Sequence, residues 1–383
     1  MLLLSILLAV DYGQFRDGVV GGDVPTQWDA ETGENIAWSV DLPGRGLSTP
    51  LVVGDRVIVT TCSGLRQERL GVHCFSDVDG SEIWTRQFWA TGRTEGHPKT
   101  SNAAPSPASD GETITAFWSS GDLVALDLDG NLRWLRGLQL EYPNASNSLG
   151  MSSSLAMADG VVIVQMEADA EAVALGIDAL TGQDKWVKAN RPKAANWTSP
   201  IVASAGGDTL ALLQSSAGVL AVDVQSGKPV WNFDDGASTI PSSAVTESLA
   251  IVPSDGLTAI DVYTGEKKWN NSKLSSGTAS PFVFAGQVFT LNRAGVLSAA
   301  SVDDGQRVDQ LRVDGPYSAT PVAADDRLYL VNEEGTAQVV RWDGEKASLV
   351  GEGTFGEQVL STPAVRGDAL YVRSDRHLWK VAR

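Results

Sequence analysis

Three short stretches of this 383-residue chain gather the side chains best suited to recognition chemistry. Residues 88–104 hold Arg93, Glu95, His97 and Lys99. Residues 137–151 hold Tyr142, Asn144 and Asn147, and residues 190–197 hold Arg191, Lys193, Asn196 and Trp197. Arginine, asparagine, tyrosine and tryptophan with little aliphatic content suit a polar-ligand pocket or the anchors of a protein interface. The competing reading is that these stretches cap the fold and satisfy one another.

Residues for catalysis are harder to find. The three histidines, His73, His97 and His377, form no pair at ligand spacing, and neither HExxH nor CxxC occurs. A zinc site is therefore not expected. Neither a GxSxG elbow nor a P-loop is present. The acidic strings DVDG (77–80), DLDG (127–130) and VDDG (302–305) suggest calcium loops at first sight. None continues into a twelve-residue calcium pattern, and turn-forming aspartates account for them better. The expectation is thus no catalytic residue, no metal ligand and no cofactor. Cys62 and Cys74 have 11 residues between them and fall on neighbouring antiparallel strands. That placement permits a cross-strand disulfide, which an oxidising compartment would favour; the plainer reading is two buried thiols.

The bulk properties narrow the partners. A net charge of −18 repels nucleic acid and anionic lipid, so neither is expected to bind. The apolar run LLLSILLAV at 2–10 is too short to span a bilayer. It fits the core of a secretory signal, although a basic start and an Ala-x-Ala site are missing; otherwise it reads as a buried strand. The expectation is an exported protein of the periplasm or cell envelope, monomeric and without an integral membrane segment.

What positions the three stretches is a repeat. AVDVQSGKPVW at 221–231 returns as AIDVYTGEKKW at 259–269. Variants are GIDALTGQDKW (176–186), ALDLDGNLRW (125–134), CFSDVDGSEIW (74–84) and AASVDDGQRVD (299–309), with TGENIAW (32–38) keeping only the second half. A second string precedes each copy, as in LSTPLVVGDRVIVT (47–60) or SATPVAADDRLYLV (318–331). Eight such units lie roughly 40 residues or more apart, each reading as four short strands A to D. Proline is tolerated at the start of strand A, and the Asp-x-x-Thr/Ser-Gly turn joins strands C and D. No sustained 3.6-residue apolar period appears, so helices should be nearly absent. Four-stranded units at this period predict an all-β, eight-bladed β-propeller. The last unit, from 361 to 383, supplies three strands, and residues 35–42 should complete it as its outer strand and close the ring. The division is then a signal-like segment at 1–10, an N-terminal extension at 11–34 and one propeller at 35–383. In this scheme the stretches rich in polar side chains are connections from strand D to the next strand A. Those after Trp84 and Trp134 are unusually long, with 21 residues before Ser106 and 17 before Ser152.

The A-x-D-x-x-[TS]-G-x-x-x-W string resembles the tryptophan-docking repeat of the PQQ-type propellers. That superfamily holds the quinoprotein alcohol dehydrogenases and the outer-membrane assembly factor BamB. GQFRDG (13–18), LPGRGLSTP (42–50), FWATGRTEGHP (88–98), YPNASNSLGMSSS (142–154) and ANWTSP (195–200) also resemble exported PQQ-like repeat proteins of planctomycete-type bacteria. In GQFRDG, Asp17 interrupts the Phe-Arg-Gly element usual in that group. The resemblance implies the fold and two classes of function. One is a non-catalytic module that binds a protein partner or small polar ligand, a peptide or carbohydrate included. The other is a redox enzyme using PQQ and calcium. The dehydrogenases pair PQQ with a vicinal disulfide, and this chain has no adjacent cysteines, so binding is the favoured expectation.

Overall fold

The computed structural model describes residues 22–383; the apolar run at 2–10 and the GQFRDG element lie outside the described residues. Eight sheets follow one another around a ring, seven antiparallel sheets of four strands and one mixed sheet of five. Blade 1 shows the pattern: Leu51–Val53, Arg56–Ser63, Arg69–Ser76 and Glu82–Trp89, in that order across the sheet. Blades 2 to 7 end in the strands Leu132–Gly137, Asp184–Lys188, Pro229–Phe233, Lys267–Asn271, Arg307–Arg312 and Ala347–Thr354. Blade 8 is closed by the N-terminal strand Ile36–Asp41, paired antiparallel with His377–Val381. Among the described residues the one α-helix is the single turn Leu138–Glu141.

The repeated string is legible as a docking device. Six strand-D tryptophans (38, 84, 134, 186, 231 and 269) each donate the indole N–H to a carbonyl at the C–D turn of the next blade, at 2.7–2.9 Å. The ring then lies flat against that turn's glycine. A Cβ added at Gly130 would come within 2.6 Å of Trp84, and one at Gly265 within 2.8 Å of Trp231. Both glycines also hold positive φ, 77° and 74°, so they are required twice over. The turn aspartates do local work: Asp223 Oδ1 accepts the Ser226 backbone N–H at 2.8 Å, and Asp127 Oδ1 accepts that of Asn131 at 2.8 Å. The cores lie between blades, not within them. One cluster joins Ile58, Leu70 and Trp84 of blade 1 to Ile114, Ala116 and Val124 of blade 2.

Two interfaces lack a docking tryptophan, and each is solved differently. In blade 6 the position belongs to Asp309, whose carboxylate accepts the Ala347 N–H of blade 7 at 2.8 Å. In blade 7 it belongs to Gly351, where any side chain would collide with the Thr26 carbonyl. The N-terminal strand Trp28–Asp29 fills that space, running parallel to Ala347–Thr354 as a fifth strand with Trp28 opposite Gly353. Trp28 is buried against Tyr329 and Phe355, with ring centroids at 6.4 and 5.7 Å. The segment read from sequence as an extension is thus partly a strut between blades 7 and 8.

The disulfide expectation is corrected by the register. Cys74 sits across from Ile58, and Cys62 across from Leu70, four positions further along the hairpin. At about 3.3 Å per residue this is about 13 Å, far beyond the roughly 7 Å a disulfide tolerates. Both cysteines are free and buried. Cys74 faces Trp84 where other blades place Ala or Gly, so it serves as a small packing residue. Burial raises both thiols, Cys74 to about 12. A non-reduced digest should therefore contain no 62–74 crosslink. A thiol reagent should leave the native chain nearly untouched and label two thiols once it is unfolded. Recovery of the crosslinked peptide would refute this.

Candidate functional site

Two residues before each strand A, beside the ring axis, stands a serine or threonine. These eight residues, Thr49, Ser106, Ser154, Ser199, Ser242, Ser280, Thr320 and Thr362, form a hydrogen-bonded belt. Each backbone N–H donates to the hydroxyl of the next blade's residue in seven successive links of 2.9–3.1 Å. The Thr49 hydroxyl, at the seam where blade 8 meets blade 1, is buried and has no partner among the described residues. The belt lines a central cavity of about 600 Å³.

The cavity's mouth is built from the connections singled out by sequence. His97, Lys99 and Trp197 line it. Lys99 reaches across the mouth to Glu333 of blade 7, Nζ to Oε2 at 2.9 Å. Glu333 also accepts the Ser318 hydroxyl at 2.7 Å. Burial pushes this carboxyl up, but Lys99 and Ser318 outweigh it and hold it below the usual glutamate value. His97 is fixed at both ends: its N–H donates to the Leu149 carbonyl at 3.0 Å, and its Nδ1 accepts the Lys99 N–H at 3.1 Å. The Trp197 indole donates to the Gly150 carbonyl at 2.8 Å. The three long connections therefore brace one another around an opening.

The other predicted site residues divide into rim and framework. Arg93 is exposed and pairs with Glu95 at 3.1 Å. Asn144 is exposed, and its backbone N–H donates to Glu171 at 3.0 Å. Tyr142 is half-buried against the cluster of Leu138 and Ala145. Asn147 is buried, with Oδ1 accepting the Leu149 N–H at 2.9 Å. Arg191 and Asn196 are also buried: both bond Glu167, at 2.6 and 2.8 Å, and both donate to the Gln214 carbonyl. Burial pushes Glu167 up, opposed by the Arg191 guanidinium. These residues hold the 190–197 connection in place and present nothing to solvent. His73 sits between the Thr61 and Thr85 hydroxyls at 2.8 and 2.9 Å, with burial lowering its pKa to about 4. His377 lies between Glu357 and Asp41 at 2.7 and 3.1 Å.

Sequence reasoning passed over the B–C turns, which supply Arg293 and Glu333 to the same mouth. A signal was available. Both follow an asparagine in Asn-x-x-Gly, NRAG (292–295) and NEEG (332–335), where the asparagine carboxamide ties down the turn and projects the next residue. The hydroxyl belt was likewise written as one Ser or Thr per repeat.

An eight-bladed ring with indoles docked on the next blade's glycine defines a PQQ-type propeller. The chain belongs to the family described as outer membrane protein assembly factor BamB, whose family model matches residues 18–152, 145–308 and 295–383. No curated protein sequence matches the chain. Among solved structures it is similar to BamB from Moraxella catarrhalis, with 18% identity, a TM-score of 0.65, and coverage of 90% of this chain and 96% of that one. The quinohemoprotein alcohol dehydrogenase from Comamonas testosteroni aligns at 12% identity and a TM-score of 0.69, over 94% of this chain and 78% of that one. The computationally designed Ika8 protein aligns at 13% identity and a TM-score of 0.64, over 90% and 99%. At these identities the structural likeness establishes the fold alone.

Proposed function

We propose that this propeller is a non-catalytic, exported protein-binding scaffold of the cell envelope, working through the face that carries the long connections. The observation that carries the reading is the braced mouth. Three connections of unequal length converge on one cavity and hold Lys99, His97 and Trp197 at its rim. Long ordered loops on a rigid scaffold are where recognition concentrates. Membership in a family described as an outer membrane assembly factor supports the partner class and the compartment. No helix of the described residues is long and apolar enough to cross a membrane. The dehydrogenase alternative has less support from the donor set. The cavity contributes one carboxylate, Glu333, already paired with Lys99, so it offers little free negative charge to hold a divalent cation. No group of three or more His, Cys, Asp or Glu suited to a metal ion occurs among the described residues.

A photo-crosslinking residue placed at His97, and separately at Asp129 on the opposite face, tests this in envelope extract. A discrete adduct from position 97, absent from 129 and lost when Lys99→Ala and Trp197→Ala are added, is the expected result. Dye reduction by the purified chain with PQQ and calcium, without any adduct, would replace it with the enzyme reading.

A further inference from the structure

A second cavity of about 490 Å³ opens on the same face, between the connections 238–241 and 275–277 and the turns 253–256 and 292–294. It shares Ile240 and Arg293 with the central cavity, so the two make one trough from the ring axis out across blades 4, 5 and 6. Both volumes lie in the range of true ligand sites. We infer that Arg293 anchors a carboxylate carried by an extended, otherwise neutral or basic peptide segment lying in this trough, an inference that rests on the protein-binding reading above.

Four observations converge on it. Arg293 is exposed at the junction of the two cavities, and its side chain has no hydrogen bond or ion pair with any described residue. The hydroxyl of Ser276 is buried in the wall of the outer cavity and has no hydrogen-bond partner. An unpaired buried hydroxyl is costly, and an incoming oxygen relieves that cost. Charge points the same way. The chain carries 47 acidic and 29 basic residues, yet the charged lining of the trough is Arg293 and Lys99, with Glu333 as its carboxylate. Glu333 is already occupied by Lys99 and Ser318, which leaves Arg293 as the unmatched charge. The remaining outer lining is mostly small and hydroxylic, with Ser238, Ser254 and Ser275, which leaves room for a main chain and offers it hydrogen bonds.

The chemistry selects the ligand class. A guanidinium binds a carboxylate through two parallel N–H···O bonds, a geometry that ammonium groups do not match. The −18 field works against a polyanion, while at physiological salt its reach falls to about 8 Å. A single carboxylate on a neutral or basic segment meets both conditions. It can come from a chain terminus or from a glutamate side chain.

Fluorescein-labelled octapeptides of Gly, Ser and Val, titrated against the full chain by anisotropy, separate the sources. One probe has a free C-terminal acid, one is amidated, and one is amidated with a central glutamate. At least one acid-bearing probe should bind and the neutral amide should not. Binding of the free acid alone assigns a chain terminus; binding of the glutamate amide alone assigns a side chain. Arg293→Gln should weaken binding at least ten-fold with the melting temperature unchanged, and Arg293→Lys should weaken it less. Ser276→Ala should cost several-fold. Equal binding of all three probes, no binding of any, or an unaffected Arg293→Gln variant overturns the inference. If the position-97 adduct persists with Arg293→Gln, this anchor fails while the scaffold reading stands. Loss of the adduct in the parent chain fails the scaffold reading itself.

Discussion

A chain that begins at Pro43 should not fold to a stable ring. It lacks Ile36–Asp41, so His377–Val381 becomes an exposed edge at the blade 8–blade 1 junction. It also lacks two indoles that fill separate interfaces, Trp38 against blade 1 and Trp28 against Tyr329 and Phe355. Truncating a buried tryptophan to alanine costs about 3–5 kcal/mol, and sites this far apart add. Two such losses rival the whole stability of an ordinary domain, about 5–15 kcal/mol, before the lost strand is counted. Trp28→Ala and Trp38→Ala, measured singly by chemical denaturation, should each cost about 3–5 kcal/mol. The shortened chain should show no cooperative thermal transition. A shortened chain that melts at the parental temperature would disprove the strut and the closure together.

Glu167→Ala should destabilise the fold by about 3–5 kcal/mol, because it leaves the Arg191 charge buried without its partner. The pair is closed at 2.6 Å, with side chains 4% and 1% exposed. The same change removes one acceptor of Asn196, so the 190–197 connection should loosen and Trp197 with it. Partner crosslinking from position 97 should fall as a consequence. Replacing Glu167 and Arg191 together by methionine should recover much of the stability, since a buried pair is expensive to desolvate as well as to break. A single-variant loss below about 1 kcal/mol, or a double variant no better than the singles, would contradict this account.

These two expectations separate what the chain states locally from what only assembly decides. The docking string was legible because each part serves a short-range need that residue types reveal. Asp caps a turn, Gly takes positive φ, and Trp is large enough to bridge to the next blade. Repetition then implied a ring, and the half-string at 32–38 implied its closure. Cys62 and Cys74 show where that reasoning stops. Their strands were assigned correctly, but the pairing depends on where the hairpin turns, and the turn at 64–68 puts Cys62 opposite Leu70. Arg191 and Asn196 show the same limit for the site. A polar side chain on a connection looks alike in sequence whether it faces solvent or turns inward to a buried carboxylate. Glu167 on the preceding blade made that choice, through a contact 24 residues distant. Trp28 was invisible for a related reason: its partner is an absence, the missing side chain of Gly353, which lies at the far end of the chain. Arg293 and Glu333 were likewise set around the mouth by the closing of the ring, because residues from blades 6 and 7 meet Lys99 and Trp197 only when all eight blades share one axis. Local chemistry thus determined the blades, and the geometry of closure decided which polar groups became framework and which became site.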